Sequence, residues 1–422
     1  MRVLVVGGYG FIGRAVAGTL MHRGHAIVGW GRSAAIGRRL LPDAAWIEGD
    51  LRHMARAGSW REALTGIDAV VNASGALQDD SGGTLQQVQG QAVIALIDAC
   101  REAGISRFVQ ISAVGASPDA ATRFMATKAE ADAHLRDSDL AWTILRPALV
   151  IGRDAYGGTA LIRALAALPV TVTVYGASPI QCVALADVAG ACTDAIEGTS
   201  PARRDVVLAA AERLPLRQVI ALHRRWLGLA PARLTFDLPP ALASPIAWAA
   251  DLAGWLGWRS PLRSTAIRVM RDGVLAEGES DTALATLTET LAASPSGIQD
   301  RIAARLFLLM PLLVLALAGL WIGSGLVGLI DSARAASLIG GSDAARSLVQ
   351  ACSVLDLLLG VAILVRKWAR AAAMLMAVVS AAYLVGGSLL TPDLWLDPLA
   401  PLLKILPAFG LSLVAAALLD RR

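Results

Sequence analysis

The sequence predicts an α/β fold with a doubly wound parallel sheet and a small cap region, followed by an all-α domain of four transmembrane helices. Short apolar strands alternate with helical stretches early in the chain, and a glycine-rich turn opens that alternation. Charge is sparse at the other end, where only 14 of the 38 basic and 34 acidic residues lie between Leu306 and Arg422. These observations divide the chain into a soluble part and a membrane part.

The composition excludes several classes of protein. Hydrophobic residues make up 55% of the chain and charged residues 17%, whereas about 25% of a typical soluble domain is charged. A disordered chain and a disulfide scaffold are therefore excluded. The net charge of +4 over 422 residues, without a basic block, does not predict nucleic-acid binding. The four cysteines show neither CxxC nor metal-ligand spacing, so we expect a reduced, cytosol-facing protein without a metal site.

The glycine-rich turn follows the apolar run Val3–Val6 and precedes a helical pattern that continues through Met21. Glycine lets the backbone turn tightly at the end of a strand and approach a pyrophosphate, while the helix beyond offers unpaired amides to the anion. Strand, turn and helix stand where that mechanism needs them, so we expect a dinucleotide-binding site. The residues predicted to bind the cofactor here are Gly7, Gly8, Gly10, Phe11, Ile12 and Gly13.

The second strand indicates which dinucleotide binds. His25–Trp30 leads into Gly31-Arg32-Ser33, where a site for NAD usually carries an acid that binds the ribose 2′-hydroxyl. The sequence has no acid before position 42, and Arg32 offers a cation suited to a 2′-phosphate. NADP is therefore favoured, with NAD as the alternative and a solvated surface arginine as the simpler interpretation of Arg32.

The alternation continues through the soluble part. Parallel βα units place ligands at the carboxyl ends of the strands. The expected strands are Ala45–Ile47, Asp68–Asn72, Arg107–Ile111 and Trp142–Leu145, and the expected helices are Arg56–Leu64, Leu85–Ala103 and Thr122–Leu135.

Four segments in the last quarter are long and apolar enough to cross about 30 Å of hydrocarbon: Leu306–Ile330, Ser347–Val365, Ala371–Leu390 and Leu402–Leu419. Asp356 lies near the middle of the second. It either forms an interhelical hydrogen bond to a hydroxyl such as Ser380 or Tyr383, or has a proton-linked, quinone-linked or transport role.

Basic residues near the ends of the spans predict the orientation, because Lys and Arg are enriched on the cytoplasmic side. Both termini and the soluble domain are therefore expected in the cytoplasm, with the spans in the cell inner (plasma) membrane. The expected cytoplasmic residues are Arg301, Arg305, Arg366, Lys367, Arg370, Arg421 and Arg422, and the expected outer residues are Arg334, Arg346 and Lys404.

Seven segments carry a resemblance to a known family: GGYGFIG, EGDL, NASGA, FVQISAVGA, TKAEAD, WTILRPALVIG and CVALADVAGA. In this order, over residues 1–200, the sequence resembles the extended or atypical branch of the short-chain dehydrogenase/reductase (SDR) superfamily. That branch includes sugar-nucleotide epimerases and a reductase-like accessory subunit of respiratory complex I. The stretch TPDLWLDPLAPLLKILP resembles a DoxX-like membrane domain. We expect a Rossmann domain with cap elements at 1–280, a linker at 281–300 and a four-helix domain at 301–422.

The resemblance implies a role for each matching position. Ser112 takes the place of the hydroxyl that polarises the substrate, and Asp187 is expected to be structural. The remaining positions are Asp50 and Leu51 beside the adenine, Ala73, Ser74 and Gly75 along the nicotinamide-side ribose, and Pro147 and Leu149 at the nicotinamide edge.

The catalytic motif of the superfamily is incomplete. It needs a tyrosine four residues before a lysine, on one helical face; Lys128 fits, but Phe124 occupies the tyrosine position. Losing the proton donor is expected to cost about 10²–10⁴-fold in ordinary carbonyl reduction. Tyr156 is a candidate to reach the nicotinamide from elsewhere. Lys128 remains suited to bind the ribose hydroxyls.

These features predict a membrane-anchored oxidoreductase that transfers hydride from NADPH to a quinone-like or lipid acceptor in the bilayer. The alternative is a non-catalytic nucleotide-binding module that assembles with, or signals redox state to, a membrane complex. Phe124 favours that alternative. The tryptophan-rich region between Trp226 and Trp258 is expected either to cap the cofactor cleft or to lie on the membrane.

Overall fold

The computed structural model describes residues 1–75, 85–258, 264–278 and 283–419. The chain forms two compact units. The first comprises residues 1–251 and 261–304, and the second comprises residues 252–260 and 305–422. Arg421 and Arg422, counted above for the orientation, lie outside the described residues.

A seven-stranded sheet, parallel throughout, forms the centre of the first unit, in the order β11-β6-β5-β4-β1-β2-β3. The central strands β1, β4 and β5 are buried, apart from the first residues of β1 and β5, because helices cover both faces of the sheet. Its strands are Arg2–Val6 (β1), Ala26–Gly31 (β2), Ala45–Glu48 (β3), Ala69–Asn72 (β4), Arg107–Ile111 (β5), Ala141–Pro147 (β6) and Arg204–Leu208 (β11).

Helices on the two faces of the sheet enclose separate apolar cores. One core packs on β1 through Val3 and Val5, and the other through Leu4 and Val6, as expected from the alternation of side chains along a strand. The helices up to residue 197 are Phe11–His22 (α1), Ala34–Leu40 (α2), Ala92–Glu102 (α3), Arg123–Arg136 (α4), Gly158–Ala167 (α5) and Leu185–Glu197 (α6), of which α5 packs in a third core.

Three two-stranded sheets and several helices complete the first unit, with a core of their own around Ile162, Ile180 and Leu227. The strands are Leu149–Ile151 (β7), Val170–Thr173 (β8), Pro179–Ile180 (β9), Cys182–Ala184 (β10), Leu214–Pro215 (β12) and Leu234–Asp237 (β13). The helices are Leu216–Trp226 (α7), Ala243–Trp255 (α8), Ser264–Asp272 (α9) and Leu287–Ala292 (α10).

Four helices of the remaining chain are long and apolar enough to span a membrane: Ile298–Ile330 (α11), Asp343–Ala362 (α13), Arg366–Leu390 (α14) and Pro401–Leu418 (α15). A short helix, Ser332–Ser337 (α12), follows the first of them. All four expected spans are therefore helical. Close packing needs small residues, because a Cβ on Gly360 of α13 would come 2.8 Å from the backbone nitrogen of Ile322.

Two predicted helices differ from the structure. In the predicted helix Arg56–Leu64, only a 3₁₀ turn forms, at Ala57–Trp60. The stretch is too short, with Gly58 inside it, to offset the cost of nucleating an α-helix. The predicted helix Leu85–Ala103 begins as a π-helical turn, Gln86–Gln91, before α3.

Candidate functional site

The turn after β1 admits only glycine at two positions. Gly7 has a φ of +76°, and a Cβ there would lie 2.9 Å from the carbonyl oxygen of Ala73. A Cβ on Gly13 would overlap the carbonyl oxygen of Gly7. Helix α1 begins after Gly10 without a side-chain cap. Its first amides therefore face the turn as an uncapped, anion-binding N-terminus, and Gly8, Phe11 and Ile12 belong to the same turn.

The carboxyl end of β4 is held beside this turn. The backbone N–H of Ala73 donates to the Val6 carbonyl at 3.0 Å. The amide oxygen of Asn72 accepts from the backbone N–H and the hydroxyl of Ser74, at 3.1 and 2.5 Å. Its amide nitrogen donates to Gln110 Oε1 of β5 at 2.9 Å. This buried network fixes Ala73, Ser74 and Gly75 at the edge of the sheet where a cofactor lies in this topology.

A carboxylate that the sequence analysis missed occupies the N-terminus of α2. Glu48 Oε2 accepts from the backbone N–H of Ala34 at 2.9 Å. Arg32 is exposed just before this helix, and Ser33 caps it. Glu48 lies 16 positions beyond Arg32 in the sequence and reaches this place from β3, where it pairs with Gly31 of β2. The signal that would have found it is the register between neighbouring parallel strands.

Asp50 and Leu51 follow β3, as expected for residues at the carboxyl edge of the sheet. The Asp50 carboxylate accepts from the Arg52 guanidinium at 2.5 Å, and this hydrogen bond lowers the pKa of Asp50. Leu51 is buried. The aspartate is therefore ionised at neutral pH and oriented by its own neighbour.

Ser112, predicted to polarise a substrate, is hydrogen-bonded to a buried carboxylate. Its hydroxyl donates to Oδ2 of Asp132 at 2.5 Å, and the Arg146 guanidinium donates to the same oxygen at 3.0 Å. The Asp132 side chain is fully buried, and burial raises its pKa. Its second oxygen, Oδ1, has no hydrogen-bond partner among the described residues. Asp132 therefore holds Ser112, a role that the sequence analysis did not assign.

Lys128 lies between the sheet and the loop that begins at Ala73. Its Nζ donates to the Ile111 carbonyl at 2.9 Å and would lie 3.9 Å from a Cβ on Gly75. The amide nitrogen of Gln89 would lie 3.6 Å from the same point. Burial lowers the pKa of Lys128. The structure thus brings Gly75, Lys128 and the unpredicted Gln89 together.

Phe124 lies one helical turn before Lys128, on the same face of α4. The ammonium lies 5.7 Å from the centre of the Phe124 ring, close enough for a cation–π contact. The phenylalanine thus stands where the superfamily's tyrosine would exchange a proton, and it contributes only a π face.

Tyr156 contacts the start of α1. Its ring stacks on Phe11, with centroids 6.0 Å apart and planes 8° from parallel, while 61% of the residue is exposed. Asp154 in the same loop forms an ion pair with Arg14 of α1. The loop after β7 is therefore fastened to the first turns of α1, and Tyr156 is directed to Phe11.

Pro147 and Leu149, which were predicted to lie at the nicotinamide edge, belong to β6 and β7. Pro147 ends β6, and its carbonyl accepts from the Val114 N–H at 3.2 Å. Leu149 begins β7, and its N–H donates to the Gln181 carbonyl at 3.1 Å. Asp187 lies in the first turn of α6, where a carboxylate interacts favourably with the positive end of the helix dipole.

A second buried carboxylate lies in the membrane unit. Asp356 of α13 accepts from the Ser324 hydroxyl of α11 and the Tyr383 hydroxyl of α14, each at 2.8 Å. The expected bond to Tyr383 is confirmed, and Ser324 rather than Ser380 supplies the second hydroxyl. Three helices thus meet at one carboxylate.

The sheet order and the glycine turn at the end of β1 define the first unit as an NAD(P)-binding Rossmann domain. Residues 7–198 match the family described as NAD(P)H-binding, and residues 318–413 match the DoxX-like family. The chain belongs to the SDR-like NAD(P)-binding proteins, with a DoxX-like domain at its C-terminal end.

Curated relatives include an assembly factor, reductases and an epimerase. The photosystem II assembly factor Ycf39 of Synechocystis is 35% identical over 35% of this chain and 44% of its own. The NAD(P)H azoreductase of Xenophilus azovorans is 32% identical over 34% of this chain and 47% of its own. A UDP-glucose 4-epimerase of Klebsiella pneumoniae is 32% identical over 26% of this chain and 86% of its own. The chain thus spans less than half the length of the first two.

Among solved structures, MoeE5 in complex with UDP-glucose and NAD aligns with a TM-score of 0.52 at 18% identity. The alignment covers 73% of this chain and all of MoeE5. This likeness establishes the fold of the first unit.

Proposed function

We propose that this protein is a membrane-anchored, NADP(H)-binding oxidoreductase that transfers hydride from NADPH to an acceptor in the membrane, of quinone or lipid type. The glycine turn carries the proposal. Gly7 and Gly13 have no room for a side chain, and α1 begins there with an uncapped N-terminus suited to a pyrophosphate. The match of residues 7–198 to an NAD(P)H-binding family supports it.

Chain residues would hold the rest of the dinucleotide. The exposed Arg32 guanidinium would pair with the 2′-phosphate, which favours NADP over NAD. Asp50 and Leu51 would border the adenine, and Ala73, Ser74 and Gly75 the nicotinamide-side ribose, with Lys128 donating to its hydroxyls. Pro147 and Leu149 would face the nicotinamide ring. The reduced ring of NADPH supplies the hydride when the cofactor is bound.

The choice of a quinone-like acceptor rests on the absence of the catalytic tyrosine. Phe124 transfers no proton, and the Ser112 hydroxyl is directed to Asp132. A quinone-like acceptor needs less acid assistance than an unactivated ketone, and four apolar helices bring the chain to the membrane where such acceptors dissolve. The relative named as an NAD(P)H azoreductase supports a reductase. The excess of Lys and Arg at one side of the spans supports a cytoplasmic Rossmann domain at the inner (plasma) membrane.

A non-catalytic assembly or redox-sensing module is the second candidate. The Lys128 ammonium is already engaged by the Ile111 carbonyl and the Phe124 ring, an arrangement that favours binding over proton transfer. The name of the relative Ycf39, a photosystem II assembly factor, supports this candidate.

Calorimetric titration of NADPH, NADP⁺, NADH and NAD⁺ into the full-length protein in lipid nanodiscs tests the first step. Selective binding of NADP(H) supports the proposal, and binding of none of the four contradicts it. Binding of NAD(H) alone contradicts the role of Arg32.

Oxidation of NADPH with a panel of quinones, followed by nicotinamide absorbance, tests the second step. Binding without turnover by any quinone contradicts the reductase. Phe124→Tyr then separates the candidates, because a gain of carbonyl reduction requires a retained substrate pocket, whereas no gain favours the binding module.

A further inference from the structure

The last turn of α8 and the residues that follow it belong to the membrane unit. Residues 252–258 group with the transmembrane helices rather than with the sheet. The indole Nε1 of Trp258 donates to the Leu364 carbonyl at 2.6 Å, and the Arg366 N–H donates to the Leu256 carbonyl at 2.9 Å. The Arg366 guanidinium lies 5.6 Å from the Trp258 ring. Leu364 and Arg366 thus anchor this segment.

The anchoring point is the end of two membrane spans. Helix α13 ends at Ala362 and α14 begins at Arg366, so the turn between them lies at one surface of the bilayer. Arg366, Lys367 and Arg370 fall within the first turns of α14. Basic residues at the end of a span attract anionic lipid headgroups. The anchored segment is therefore at the depth of the headgroups.

The same segment exposes large apolar side chains. Trp255 is 81% exposed and Leu252 is 46% exposed. A spacing of three places these two residues on one face of the last turn of α8. Tryptophan favours the membrane–water interface, because its ring is apolar and its N–H is polar.

We propose that the apolar face of residues 252–258 lies in the headgroup region of the bilayer that the transmembrane helices span, with phospholipid headgroups as its occupant. The anchored turn sets the depth, and Trp255 and Leu252 supply the buried apolar area. The proposal requires the membrane spans but no nucleotide chemistry.

Depth-dependent quenching tests the proposal. Trp255→Cys, in a Cys352→Ala background, is labelled with an environment-sensitive fluorophore on the full-length protein. The labelled protein is reconstituted into vesicles of phosphatidylcholine and phosphatidylglycerol with spin labels attached either near the headgroup or deep in the acyl chain. Leu358→Cys, on an exposed face of α13, is the lipid control, and Asp43→Cys, exposed after α2, is the aqueous control.

Fluorescence at position 255 is expected to fall more with the shallow spin label than with the deep one, and position 358 is expected to show the reverse. Position 43 should lose no fluorescence with either. Absence of quenching at position 255 by both spin labels overturns the proposal. The fluorophore would then be either exposed to water or, if its emission shows that it is shielded from water, covered by protein. Leu252→Cys gives the same test where Trp255→Cys does not reconstitute.

Discussion

Each unit of the molecule buries one aspartate in a hydrogen-bonded network, and the two networks differ in their partners. Asp132 of the Rossmann unit accepts from a guanidinium, that of Arg146, and from a hydroxyl. Asp356 of the membrane unit accepts from two hydroxyls, those of Ser324 and Tyr383, and these are its hydrogen-bond donors among the described residues. The first network balances charge, whereas the second joins helices. A neutral replacement of the aspartate alone is therefore expected to cost more stability in the first network than in the second.

Arg146→Met is expected to have the largest effect, because it leaves Asp132 buried without its cation. Breaking a buried pair from one side costs about 3–5 kcal/mol of the free energy of unfolding. Chemical denaturation of the full-length protein, followed through the Rossmann unit, measures the loss. The double variant Asp132→Asn with Arg146→Met should recover a large part of it, and an equal loss in both would contradict charge balance.

Gly13→Ala is expected to destabilise the first unit by about 1–3 kcal/mol, since overpacking a tight contact forces the backbone to move. The new methyl group would overlap the Gly7 carbonyl, so nucleotide binding should also be lost. Gly18→Ala is the matched control on the same helix, where a Cβ meets nothing within 4 Å. The control should be as stable as the wild type or more so, by up to about 1 kcal/mol.

Asp356→Leu is expected to cost about 1–2 kcal/mol of the stability of the helical bundle, because it removes two interhelical hydrogen bonds. Asp356→Asn should cost less, since its amide oxygen still accepts a hydrogen bond. Unfolding in mixed detergent micelles measures both variants. Full stability of Asp356→Asn together with loss of quinone reduction would assign the carboxylate a proton-linked role rather than a structural one.

Glu48→Gln is expected to have the smallest effect and acts on cofactor choice. The carboxylate occupies the α2 N-terminus beside Arg32, where a 2′-phosphate would carry like charge. Removing one charge near a helix terminus changes the free energy by about 0.3–1 kcal/mol, so NADPH affinity should rise about two- to fivefold relative to NADH. Calorimetry measures both affinities, and Glu102→Gln, exposed at the end of α3, is the control. Equal changes for both cofactors would contradict this role.

The features that could be predicted from the sequence are those that depend on the pattern of residues within one element. The glycine turn, the four spans and the pairing of Phe124 with Lys128 on one helical face follow from spacing along a single element. Glu48 and Asp132 were missed because their roles depend on contacts between elements: Glu48 reaches α2 through the register of β2 and β3, and Asp132 reaches Ser112 across 20 residues of sequence. The chemistry of Asp132 is therefore visible only once the strands and helices are packed.

The order of the elements along the chain has a consequence for biosynthesis. Strand β1 lies inside the sheet, between β4 and β2, and β11, Arg204–Leu208, completes one edge. All seven strands thus leave the ribosome before the first span, Ile298–Ile330, is made. Because domains fold as units and the N-terminal one folds first during synthesis, the nucleotide-binding unit can fold before the membrane helices are inserted. A substitution that slows folding of the sheet, such as Gly13→Ala, would then leave the domain unfolded while the membrane helices are being inserted.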